Sequence, residues 1–105
     1  MIKAPALRAG TGRYAILVFH EGRFLRSIGV IKRRLTVGGG SLCDISLEDA
    51  RIPAVWGTIV DRGVEVVLEP EGGGPRRAFR FLEPLHVGPF ALVRVPAGAN
   101  LGRTV

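Results

Sequence analysis

From Tyr14 onward the chain runs as short apolar segments broken by clusters of glycine, proline and charge. Tyr14 to Phe19 is rich in β-forming residues and apolar at consecutive positions, the pattern of a strand covered on both faces. His20-Glu21-Gly22 is a turn leading into a second strand, Arg23 to Ile28. Leu35-Thr36-Val37 forms a short strand stopped by Gly38-Gly39-Gly40. Val55 to Val60, the Asp61-Arg62-Gly63 turn, and Val64 to Leu68 make a hairpin. Glu69 to Pro75 is a loop, and Ala78 to Leu82 a short strand ended by Glu83-Pro84. Leu85 to Val87 and Phe90 to Val95 turn on Gly88-Pro89. Turn signals at roughly 8–12-residue spacing with no sustained helical period predict an all-β sandwich of short antiparallel strands.

One segment reads two ways. Ser41-Leu42-Cys43-Asp44 has the outline of a helix capping box, with Asp where Glu or Gln is usual. The β alternative turns Ile45 and Leu47 inward from a short strand and leaves Glu48 to Arg51 as a loop. The organisation that follows is a basic arm over residues 1–13, a sandwich over 14–96 and a tail over 97–105.

Composition narrows the function classes. The chain has 105 residues, 47% of them apolar, enough for one modest core. A lone cysteine, Cys43, excludes an internal disulfide and fits a reducing compartment. No apolar run approaches the ~20 residues of a membrane helix, and the first residues lead into no signal-peptide core. A cytoplasmic domain is expected. The sequence holds no Gln and only Asn100 as Asn, a shortage of thermolabile amides that resembles heat-adapted proteins.

Candidate chemistry is sparse. Gly38-Gly39-Gly40 lacks the following Lys and Ser/Thr of a phosphate-binding P-loop. As a dinucleotide fingerprint it has Cys43 in place of the third glycine and hairpins where a βαβ unit belongs. Cys43, His20 and His86 stand singly, without metal-ligand spacing, and Ser41 has no nucleophile elbow. The sequence assigns no catalytic residue, metal or cofactor, and a non-enzymatic protein is expected. The net charge is +6, with 13 of the 15 cations arginine. Lys32-Arg33-Arg34 and Arg76-Arg77 are candidate anion-binding clusters, and Arg80 and Arg94 fall on predicted strands. Such arginines suit phosphate recognition, so nucleic acid is one partner class; few aromatics are available for base stacking.

Residues 35–59 resemble the signature of forkhead-associated (FHA) domains. Gly38, Cys43-Asp44-Ile45, Leu47, Asp49, Ile52 and Ile59 fit that pattern in register, and Leu85 to Val93 resembles the family's closing hairpin. The resemblance covers about residues 14–95 and implies a two-sheet β-sandwich with partner-binding loops at one end. It also implies a lost specificity. The family's phosphothreonine-binding Arg and Ser fall here on Gly39 and Pro53, and its following Arg and His on Ala54 and Trp56. The Asn-Gly-Thr segment that holds the peptide backbone has no counterpart in Glu69 to Arg77. The expectation is a non-catalytic interaction or assembly module independent of phosphothreonine, with an unidentified protein partner. It would meet that partner through Gly39, Gly40, Ser41, Arg51, Pro53 and Trp56, Trp56 being an anchor where exposed. Arg51 or Lys32-Arg33-Arg34 would then offer a different anion site. The alternative is a small basic RNA- or ribosome-associated protein.

Overall fold

A computed structural model describes residues 13–97, which form strands and turns and no helix. Of the expected arm over 1–13 and tail over 97–105, residues 1–12 and 98–105 lie outside the described residues. Among the described residues nine strands follow in chain order: β1 (Tyr14–His20), β2 (Arg23–Val30), β3 (Arg34–Gly38), β4 (Ile45–Ser46), β5 (Gly57–Asp61), β6 (Val66–Pro70), β7 (Arg77–Ala78), β8 (Leu85–Val87) and β9 (Phe90–Pro96). They make two sheets, ordered β2-β1-β9-β8 and β4-β3-β5-β6-β7. The protein is all-β, the class its periodicity predicts. The sheets belong to two compact units, one from the segments up to Lys32 and from Phe81 onward, the other Arg33–Arg80.

In the first unit, β1 lies between β2 and β9, antiparallel to both. Tyr14, Ile16 and Val18 are buried on one face with Leu92 of β9 and Leu85 and Val87 of β8. The intervening Ala15, Leu17 and Phe19 are only partly covered. The β1–β2 turn places Glu21 and Gly22 at φ of 49° and 83°. Positive φ at both central positions matches the right-handed strand twist, and glycine takes it without steric cost. The Glu21 amide donates to Pro89 O at 2.9 Å, tying this turn to the β8–β9 turn.

In the second unit, Leu35, Val37, Ile59 and Leu68 fill one face of the β3-β5-β6 ladder and are buried, as are Ile45 and Leu47. The Ser41–Asp49 region contains β4 and turns, so the capping-box alternative gives way to the β reading. One strand pair departs from antiparallel pairing: β4 runs parallel to β3, pairing Val37 with Ile45 and Gly38 with Ser46. Parallel strands ordinarily need a long crossover; a two-pair contact needs only that the chain double back through residues 39–44.

Several strands run one or two residues longer than predicted, and three boundaries shift for identifiable reasons. The β5–β6 turn is wider than Asp61-Arg62-Gly63, because Asp61 Oδ1 accepts the Gly63 amide at 2.9 Å and Arg62 N donates to Glu65 O at 2.8 Å. Val64 therefore stands fully in the turn, 97% exposed. The predicted strand Ala78 to Leu82 shortens to β7, whose chain end leaves the sheet after Phe79 N bonds Val66 O at 2.8 Å. Phe81 instead forms a parallel bridge with Arg94 in the first unit. Val55 and Trp56 precede β5 rather than opening it, since Trp56 N is drawn to Val37 O at 2.7 Å.

Candidate functional site

The glycine triplet and the Ile52–Trp56 segment lie side by side in the second unit. Gly39 N donates to Pro53 O at 2.8 Å, and Gly40 N to Ala54 O at 3.1 Å. A Cβ at Gly38 would overlap the Ala54 carbonyl, and one at Gly39 would stand 2.7 Å from Ile52 O. Real Cβ atoms do not approach that closely, so packing, not ligand access, requires these glycines. The same bonds use up the amides that an anion-binding turn would leave open.

On either side of this seam lies a concavity. One, about 390 Å³, is lined by Thr36, Gly40, Ser41, Leu42, Cys43, Ala54 and Val55, and its wall is mainly apolar. Leu42 on its rim is 97% exposed and Val55 42%. Cys43 Sγ lies 3.1 Å from Ala54 O and helps fix the floor. The other, about 460 Å³ and wide open, is lined by Gly39, Gly40, Glu48, Asp49, Ala50, Ile52 and Ala54.

The remaining residues singled out by sequence fall around this seam or away from it. Ser41 is exposed beside the apolar groove, and Pro53 is exposed with its carbonyl committed to Gly39. Arg51 is held by Asp49 through two bonds, Nε to Oδ1 at 2.9 Å and Nη2 to Oδ2 at 2.8 Å. Asp49 thus takes two of the five guanidinium N–H donors and offsets the charge that would hold an anion at Arg51. Trp56 is half-buried, with the Arg77 guanidinium 5.1 Å from its ring centroid. It is a capped platform, neither a core residue nor a bare anchor.

The basic clusters do not converge. Arg34 aligns across the sheet with Val60, Val67 and Ala78, whereas Arg77 aligns with Leu68. Adjacent register positions project from opposite faces, and three strand spacings of about 4.8 Å separate β3 from β7. Arg33 and Arg76 are exposed on the flanking segments, and Lys32 belongs to the first unit. Arg94, read from sequence as a strand cation, places its guanidinium carbon 3.9 Å from the Phe81 ring centroid and 4.6 Å from that of Tyr14. Among the described residues, no group of three or more His, Cys, Asp or Glu could hold a metal ion, and no helix is long and apolar enough to cross a membrane.

Sequence reasoning missed Thr36, Leu42 and Cys43 as groove residues, whereas Val55 falls within the Arg51–Trp56 stretch it singled out. The available signal was Leu42 itself, a large apolar side chain inside a Gly-Ser turn.

No family model matches the chain, and no curated protein is significantly similar to it. Among solved structures, it resembles the Slr1951 protein from Synechocystis sp. with a TM-score of 0.61, over 79% of this chain and 94% of that one. At 8% identity the likeness concerns fold alone.

Proposed function

We propose that this chain is a non-catalytic, FHA-like interaction module that binds a protein partner without requiring phosphothreonine. The partner would seat an apolar side chain in the groove between Gly40–Cys43 and Ala54–Val55. The observation that carries this reading is the closed seam: the Gly39 and Gly40 amides are spent on Pro53 and Ala54, while the adjacent groove presents Leu42 and Val55 to solvent. A phosphate would find the Gly39 and Gly40 amides already engaged and Arg51 paired with Asp49. An apolar group would gain by leaving water, at about 25 cal/mol per Å² buried.

The test compares a degenerate phosphothreonine peptide library with its unphosphorylated counterpart, on the native chain and on Leu42→Asp. Peptides retained equally with and without phosphate, and lost on Leu42→Asp, are the expected result. Retention that depends on phosphate and disappears in Arg51→Ala overturns it. Binding of a homopolymeric RNA that falls steeply with salt and survives Leu42→Asp would favour the RNA-associated alternative.

A further inference from the structure

A different surface, in the first unit, has the geometry of a strand acceptor. Among the described residues, β2 has β1 on one side and no strand on the other. It contains no proline and is exposed along almost its whole length. Phe24 and Leu25 are each 50% exposed. An uncovered edge of this kind offers a row of backbone donors and acceptors to an incoming chain.

The charge on this edge is arranged by a bulge. Val18 pairs with Arg26 and Phe19 with Phe24, leaving Leu25 as an extra residue on β2. Simple alternation would send Arg23 and Arg26 to opposite faces. The inserted Leu25 resets the alternation, so Arg23 and Arg26 leave the strand on the same side, and Phe24 on the other. Phe24 meets Phe19 edge-on, with ring centroids 5.7 Å apart. Between Glu21 and Asp44 the sequence contains no acidic residue.

From this arrangement we infer that β2 accepts, as a fifth strand of its sheet, an extended acidic segment of a protein partner with alternating acidic and apolar residues. Its carboxylates would face Arg23 and Arg26 while its apolar residues extend the Phe19–Phe24 pair. The same arginines disfavour a second copy of this chain, because β2 against β2 sets like charges across the new ladder. The inference concerns another unit and stands independently of the groove reading.

The experiment uses the full chain and a capped synthetic nonapeptide of alternating Glu and Val, followed by titration calorimetry and backbone amide NMR. Saturable binding is expected, with amide shifts concentrated on Arg23–Val30. Affinity should fall about tenfold or more in Arg23→Glu/Arg26→Glu, weaken with salt and remain unchanged in Leu42→Asp. A Lys/Val peptide should not bind. Both arginines are exposed, so the double variant should fold, and its unchanged unfolding midpoint checks this. No binding, equal binding by the double variant or by the Lys/Val peptide, or shifts centred on the Gly40–Val55 groove would each overturn the inference. So would concentration-dependent dimers paired through β2, or an edge already protected from exchange in the chain alone.

Discussion

Thr36 and Asp44 clamp each other across the loop that carries β3 into β4. Asp44 Oδ2 accepts the Thr36 amide at 2.9 Å and its hydroxyl at 3.2 Å, while the Asp44 amide donates to Thr36 Oγ1 at 2.9 Å. This exchange holds the chain where it doubles back, and so fixes both the parallel β3–β4 contact and one wall of the apolar groove.

Asp44→Ala removes the acceptor for two of those bonds, and Thr36→Val removes the acceptor for the third together with one donor. Each bond is worth about 1 kcal/mol net, somewhat more when an ionised group takes part. Asp44→Ala should therefore cost about 1–3 kcal/mol and Thr36→Val about 1–2. Urea unfolding midpoints check the size of each loss. The double variant should lose less than the sum of the singles, because the two residues share their bonds.

Two glycine substitutions should move stability in opposite directions. Gly38→Ala drives a methyl into the Ala54 carbonyl, and overpacking against a backbone that cannot yield costs about 1–3 kcal/mol or more. Gly29 in β2 has open space around its Cβ position and no positive φ. Gly29→Ala should stabilise by about 0.4–1 kcal/mol by restricting the unfolded chain. Thermal unfolding of both variants tests the contrast, and an unchanged Gly38→Ala would contradict the tight seam.

These two glycines mark what was legible in the sequence. Strand positions followed from β-branched runs and from turn residues with local mechanisms, such as Glu21-Gly22 and Gly88-Pro89. Ile45 and Leu47 were an inward pair in one of two readings of their segment, and the spacing alone did not separate that reading from a short helix. The parallel β4 was not recognisable, since two residues carry no periodicity and its pairing depends on a nonlocal Thr36–Asp44 contact. Nor did the triplet reveal its purpose: glycines that admit a ligand and glycines that admit a neighbouring backbone look alike until Ile52–Ala54 is placed against them. The groove combines residues from three separated stretches, so only Leu42 gave any local sign of it.

Arg94 shows the same limit for charge, and supports a prediction. An arginine in a basic chain reads as surface charge, yet this guanidinium lies over the Phe81 and Tyr14 rings. Arg94→Ala should cost about 1–2 kcal/mol, from the lost cation–π attraction and the packing of its aliphatic stem. Arg94→Lys keeps the charge but loses the planar stack, and should fall between the two. Urea unfolding of the three proteins, repeated at high salt, distinguishes this from a surface effect. Loss of exposed charge alone would leave all three nearly alike.

Asp49 and Arg51 form an unequal pair. The Arg51 side chain is 63% exposed and that of Asp49 only 13%. Asp49 accepts from the Arg51 backbone amide as well as from its guanidinium, all at 2.8–2.9 Å. Arg51→Ala removes a solvent-screened ion pair and leaves the backbone bond, so the cost should stay below about 1 kcal/mol. Asp49→Ala leaves the Arg51 amide without its side-chain acceptor and loosens the turn closed by Ile52 N on Asp49 O at 2.9 Å. That change should cost about 1–2 kcal/mol. Asp49→Asn retains a side-chain oxygen for the amide and should recover most of the loss. If Arg51→Ala proved as damaging as Asp49→Ala in urea titrations, the ion pair rather than the turn would be what holds this loop.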